Sequence, residues 1–282
     1  MVDQIIVKSL EEALMYLNEK PFLLLAGGTD LMIQNRAVSE TPVDFKKDIL
    51  YISNLSECKY VKFDNENVYI GSLTSLETLS HHEFVPQLLK DTIHEMASPG
   101  IRNVATIAGN IGNASPAGDS LVTLYLLDAS VKVESLHQKR IIPIENFITG
   151  VRKTLLKDNE LITEIIIPKK SFSFTSFVKV GGRKADAISK VSFAGAYTVE
   201  NGIVTDFRIA LGAIYQTVLR RKELEKEYTG LSVCTIRSKR EEIISRYTPF
   251  IQPIDDQRSN KKYRLQVAKN MIGAFIDSMK LI

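Results

Sequence analysis

Leu10, Ala13, Leu14 and Leu17 recur at helical spacing behind Ser9, with Glu12 three residues after it. This pattern predicts a capped amphipathic helix near the N-terminus. Residues 22–26 form an apolar run that reads as a buried strand, followed by a glycine pair and a short helix over 30–36. Strand, glycine turn and helix in that order is a local geometry that binds phosphates. Residues 48–52 predict a further strand, and 59–63 and 68–71 alternate around the polar turn DNEN, which predicts a hairpin. Over 86–97, Leu88, Leu89, Ile93 and Met96 share one helical face. The stretch SLVTLYLLD at 120–128 is apolar enough to predict a buried helix, and 131–135, 140–143 and 161–167 predict strands. A domain boundary is expected near 168–171. Beyond it, strands at 172–180, 192–199 and 204–211 precede helices at 219–228, 235–247 and 259–278. Strands first and helices afterwards argue an α+β unit with an antiparallel sheet.

Composition narrows the class. The chain has 282 residues, 44% of them hydrophobic, enough for two domains with substantial cores. A net charge of +3 is too small to attract a polyanion over long range, so nucleic acid is not an expected partner. The N-terminus lacks the features of a secretory signal, and no apolar run is long enough to span a bilayer, so no membrane partner is expected. Cys58 and Cys234 lie far apart without metal-ligand spacing, which reads as reduced thiols in a cytoplasmic protein and supplies no zinc or iron–sulfur ligand set. No GxSxG or comparable nucleophile signature occurs, so no catalytic side chain is assigned. His81, His82, His94 and His137 read as solvent-facing or capping residues, and RRKELEKE at 220–227 as a solvated helix face.

Candidate chemistry concentrates in two glycine-containing segments. Gly27 and Gly28 permit positive φ and remove Cβ atoms, so that successive backbone N–H groups can converge on one anion, with the Thr29 hydroxyl beside them. Alternatively this is a tight turn with Thr29 or Asp30 as the helix cap. Neither GxGxxG nor GxxxxGK[ST] is present, which argues against a Rossmann or P-loop site. The second segment, TIAGNIGNASPAGD at 106–119, is dense in small and hydrogen-bonding residues. It suits either a polyhydroxyl chain flanked by phosphate or an irregular loop with Asp119 capping the apolar helix behind it. In GGRKAD at 181–186, Arg183 and Lys184 either place cations beside a ligand or decorate a hairpin.

LLLAGGTDL together with ASPGIRNVATIAGNIGNASPAGDS resembles the FAD-binding subunit of the molybdenum hydroxylases of xanthine dehydrogenase and carbon monoxide dehydrogenase type. The resemblance continues through RKTLLKDNELITEIIIP and FVKVGGRKADAISKVSFAGA. It implies an α+β fold: a two-lobed FAD-binding domain of the vanillyl-alcohol oxidase-like (PCMH) type at 1–168, with lobes about 1–55 and 56–168. A carbon monoxide dehydrogenase flavoprotein-like domain at 172–282, with a three-stranded antiparallel sheet and helices, would follow. By motif, the backbone of Leu24, Leu25, Ala26, Gly27, Gly28, Thr29, Asp30 and Leu31 would hold the FAD pyrophosphate. Thr106, Gly109 and Asn110 would line the phosphate and ribityl stretch, and Asp119 would accept hydrogen bonds from sugar hydroxyls. Ile162 and Lys179 fall where the family contacts the adenine or flavin end, and Met96 stands where relatives carry an aromatic ring.

The resemblance also implies partners: a molybdopterin-binding large subunit and a small subunit with 2Fe-2S clusters, assembled as a dimer of heterotrimers. Electrons would leave through FAD to NAD or another acceptor, in a complex taken to be xanthine dehydrogenase-like. Purine, nicotinate, carbon monoxide and aldehyde substrates all remain open, because the large subunit selects among them. Two other readings are a stand-alone flavin reductase of the same fold and a non-catalytic flavin-binding scaffold.

Overall fold

The first segment folds as its pattern requires. In the computed structural model, which describes residues 2–36 and 42–280, Ser9 accepts a hydrogen bond from the Glu12 backbone N–H at 3.1 Å and opens the helix Leu10–Glu19. Such a cap contributes about 1 kcal/mol. Glu12 reaches back to the Lys8 N–H at 2.7 Å, one residue beyond the usual partner. Ala13, Leu14 and Leu17 are buried with Val7, Phe22, Leu50 and Leu55 in one apolar cluster.

The chain divides into two compact units, each assembled from discontinuous segments. The first comprises Met1–Val85, Ala97–Ala114 and Ala129–Pro168. It contains a parallel sheet in which Ile49–Tyr51 lies between Gln4–Ile6 and Leu23–Leu25. It also contains an antiparallel five-stranded sheet, ordered Val61–Phe63, Asn67–Gly71, Leu161–Pro168, Ser130–Glu134 and Lys139–Pro143. The expected hairpin is present, its turn closed by Asp64, whose carboxylate accepts from the Glu66 and Asn67 N–H groups at 2.8 and 2.7 Å.

The second unit comprises Pro86–Met96, Ser115–Asp128 and Lys169–Ile282. Phe174–Val180, Val191–Glu200 and Ile203–Gly212 pair antiparallel, as the order of strands before helices predicts, and the two-residue strand Leu219–Arg220 adds a fourth edge. Helices cover both faces of this sheet. A Cβ on Gly212 would meet Val122 of the helix Asp119–Leu126, whereas one on Gly195 would meet Phe275 of the helix Lys261–Asp277. Coverage on both sides explains the near-continuous apolar run of the strand Val191–Glu200, which is buried at all but its last residue and Thr198.

Two expectations change. RRKELEKE is not a solvated face throughout: Leu219–Arg220 is strand, the helix starts at Lys222, and the side chains of Arg220 and Glu225 are only 4% and 6% exposed. Arg220 binds Glu225 at 3.0 Å and Asp128 at 2.9 Å. Together with Arg208, which donates to the Leu126 carbonyl at 2.7 Å, it caps the C-terminus of the helix Asp119–Leu126. The end of an apolar helix leaves unpaired carbonyls, and two buried cations satisfy them. The predicted helix at 235–247 is likewise two pieces, Val233–Ser238 and Arg240–Tyr247. GGRKAD forms the hairpin connection between Phe174–Val180 and Val191–Glu200, with Arg183 turned back onto the Ala185 carbonyl at 3.0 Å.

Candidate functional site

The first unit carries a cavity of about 420 Å³, within the range of small-molecule sites of roughly 300–1,000 Å³. Its first wall is the end of the strand Leu23–Leu25 and the glycine turn after it. Gly27 passes so close to another chain segment that a Cβ would stand 1.9 Å from the Val104 carbonyl oxygen, and Gly28 has φ +70°. The turn therefore needs both glycines for backbone reasons of its own. Among the described residues, the backbone N–H groups of Gly28, Thr29 and Asp30 have no hydrogen-bond partner. They remain for an anion. The helix that follows, Leu31–Gln34, is a single turn whose N-cap Asp30 makes no side-chain capping bond. Free backbone donors, rather than a helix dipole, make this wall suitable for phosphate.

The second wall is the 106–113 stretch. It is a helix, Ile107–Asn113, because Ile107, Ala108 and Ile111 supply a buried stripe hidden among the glycines. Thr106 caps it, accepting from the Gly109 N–H at 3.1 Å, and the left-handed Ala114 (φ 45°) ends it. A Cβ on Gly112 would meet nothing nearer than Ile162 Cδ1 at 3.9 Å, so glycine here keeps open the space between that helix and the strand Leu161–Pro168. Leu23, Leu24, Ile52, Leu73, Leu156 and Ile162 make part of the lining apolar. Ser72, 1% exposed and also in the lining, has no nitrogen or oxygen partner for its hydroxyl, which has only the Cys58 sulfur, a weak acceptor, beside it. Free backbone donors, a hydroxyl with only a weak sulfur partner and a glycine-kept space beside an apolar wall fit a dinucleotide, which is anionic at its diphosphate and apolar at its rings.

Of the residues singled out in the sequence, Leu24, Ala26, Gly27, Gly28, Thr29, Asp30 and Leu31 share this lining with Thr106, Gly109, Asn110 and Ile162. Leu25 is not in the lining; its Cδ1 lies 3.1 Å from where a Gly28 Cβ would be. Met96, Asp119 and Lys179 belong to the second unit. There Lys179 donates to the Glu95 carbonyl, next to Met96, at 2.7 Å and pairs with Asp119 at 2.9 Å. Ser189 donates to the other Asp119 oxygen at 2.6 Å. Burial pushes the Asp119 carboxyl above its ordinary value, with Lys179 and then Ser189 opposing that shift. Both oxygens of Asp119 thus have partners within the chain.

The sequence reading missed Gln34, Ser72 and Arg152 in the lining, and gave Asn113 only as part of the 106–119 segment. Gln34 and Arg152 both donate to Asn113, at 3.0 and 2.7 Å, and Arg152 reaches Asp30 at 3.2 Å. Arg152 opens the RKTLLKDNELITEIIIP stretch and lies in the turn Val151–Arg152 between two short strands, a placement its charge alone does not reveal.

Known families match along nearly the whole chain. Residues 1–170 match the FAD binding domain in molybdopterin dehydrogenase, and 176–279 the CO dehydrogenase flavoprotein C-terminal domain. The nicotinate dehydrogenase FAD-subunit of Eubacterium barkeri is 32% identical over 237 residues, 79% of this chain and 78% of that one. The glyceraldehyde dehydrogenase medium chain of Sulfolobus acidocaldarius is 31% identical over 271 residues, 93% of this chain and 92% of that one. A chain in the solved structure of carbon monoxide dehydrogenase from Hydrogenophaga pseudoflava, in a form lacking the Mo-pyranopterin moiety of the molybdenum cofactor, superposes with a TM-score of 0.86, at 23% identity, over 97% of this chain and 95% of that one. The chain therefore belongs to the FAD-binding subunits of the molybdenum hydroxylase family, of xanthine and carbon monoxide dehydrogenase type.

Proposed function

We propose that this subunit is the electron exit of a xanthine dehydrogenase-like complex, taking electrons from 2Fe-2S clusters of a small subunit and passing them to NAD or another external acceptor. FAD supplies the chemistry, because it can receive electrons singly and release them as a pair. The chain's own residues bind and orient it. The unpaired N–H groups of Gly28, Thr29 and Asp30 hold the diphosphate, Thr106 and Asn110 offer polar contacts opposite, and Leu24 and Ile162 exclude water from a ring. The carrying observation is that both glycine segments, 79 residues apart from Gly27 to Thr106, line one cavity.

On this reading 1–168 is the FAD-binding domain and 172–282 the C-terminal domain, and the complex is a cytoplasmic dimer of heterotrimers with a molybdopterin-binding large subunit. The roles of Met96, Asp119 and Lys179 toward flavin rest on the family resemblance. The test is to purify the native complex through this chain, assay flavin, iron and molybdenum, and add NAD to the reduced enzyme. Co-purifying iron and molybdenum with flavin reoxidised by NAD supports the reading. A complex without iron or molybdenum, or flavin that no nicotinamide nucleotide reoxidises, removes the corresponding part of it.

A further inference from the structure

Arg152 has an unusual backbone for a side chain of its size. Its φ is +55°, a left-handed conformation that costs a non-glycine residue roughly 1–2 kcal/mol. The turn is fixed there because the Arg152 N–H donates to the Ala114 carbonyl at 3.0 Å, tying the end of the helix Ile107–Asn113 to the hairpin formed by Ile148–Gly150 and Lys153–Thr154. This conformation puts the guanidinium on the cavity wall, where it bridges Asp30 Oδ2 and Asn113 Oδ1. Gln34 donates to the same two acceptors, so four side chains from three segments converge.

Stability alone does not account for this arrangement. The side chains of Arg152 and Asp30 are 47% and 46% exposed, and an ion pair so open to solvent contributes little. Charge gives the better explanation. Among the described residues that line the cavity, Arg152 is the sole cation and Asp30 the sole anion. Asp30 is one of the three residues whose backbone N–H groups are free, so its carboxylate would oppose any phosphate brought to that turn. A guanidinium beside it both offsets that repulsion and offers planar donors to phosphate oxygens.

We propose that Arg152 is the counter-ion of the dinucleotide's diphosphate, aimed by Asp30 and Asn113 and presented by its left-handed turn. This rests on the reading of the cavity as the FAD site, and the tests separate the two. The full-length chain is titrated with FAD by flavin fluorescence, and with ADP, which carries the diphosphate without flavin, by calorimetry. Both titrations are run at low and high ionic strength. Arg152→Gln weakens FAD and ADP by about tenfold or more, and the salt dependence of binding falls. Arg152→Gly supplies a variant that folds at least as well, since glycine accepts φ +55° freely, and it loses the same affinity. In an Asp30→Asn background the loss persists, because the guanidinium touches phosphate and does more than neutralise a carboxylate. Unchanged FAD affinity in Arg152→Gly overturns the proposal and leaves the FAD reading standing. So does a loss that disappears when Asp30 is neutralised. Failure of the wild-type chain to bind FAD overturns both.

Discussion

Gly112 separates binding from folding more cleanly than any other position in the cavity. It lies inside the helix Ile107–Asn113, where glycine costs about 1 kcal/mol relative to alanine. A Cβ there finds only Ile162 Cδ1 at 3.9 Å, an ordinary van der Waals distance, so the fold accepts it without strain. Gly112→Ala should therefore raise stability by about 0.5–1 kcal/mol, or roughly 2 °C in Tm for a chain of this size. Gly112→Leu extends a branched side chain into the space between the helix and Ile162. Over-filling of this kind costs about 1–3 kcal/mol, which is roughly five- to 150-fold in Kd when FAD must displace or deform it. The assay pairs a thermal melt of the FAD-free chain with a fluorescence titration of FAD. The expected result for Gly112→Leu is a Tm at or above wild type with weakened FAD binding. Wild-type affinity in Gly112→Leu would show that the ligand does not use this space, and a large fall in Tm would show that the helix tolerates no side chain there.

Gly27→Ala should behave oppositely. Its Cβ would stand 1.9 Å from the Val104 carbonyl oxygen, so a cost of about 3 kcal/mol or more should lower Tm and flavin binding together, and a melt indistinguishable from wild type contradicts that packing. Asp128→Asn should cost about 1–3 kcal/mol at neutral pH by weakening the clamp of Arg208 and Arg220 on Leu126, measured by denaturant unfolding. Burial pushes the Asp128 carboxyl up, but Arg220, Lys222 and Arg208 outweigh it and hold the carboxyl below its usual range. Its contribution is thus complete above the unfolded value of about 3.9 and is lost as pH falls through the lower folded value. The wild type should lose its advantage over Asp128→Asn as the medium is acidified across that window, and a difference independent of pH contradicts the assignment.

Much of the architecture was legible because burial writes itself into local patterns. Ser9, Glu12 and the Leu10–Leu17 stripe specify a capped helix within one short window, and the apolar runs between Phe174 and Gly212 give three strands. What the sequence hid depends on distant partners. Arg220 in RRKELEKE looks solvated because nothing nearby indicates that Asp128, 92 residues earlier, will pair with it. The helices Gln87–His94 and Asp119–Leu126 belong with strands far downstream in the second unit, although their own sequences look like continuations of the first. The glycine-rich stretch at 106–113 disguised a helix, since Gly109 and Gly112 depress helix propensity while Thr106 and the Ile107–Ile111 stripe still specify it. In the candidate site, residue types that approach a ligand by backbone stood out, whereas Arg152 acts through a turn conformation that no pattern of polarity records.

Whether the cavity between the 24–31 and 106–113 segments holds FAD is decided by equilibrium dialysis of the purified full-length chain against FAD with spectroscopic counting of retained flavin. One flavin per chain is expected, displaced by excess ADP if the diphosphate sits at Gly28, Thr29 and Asp30. A chain that melts cooperatively yet retains no flavin, or retains flavin that ADP does not displace, would contradict that expectation.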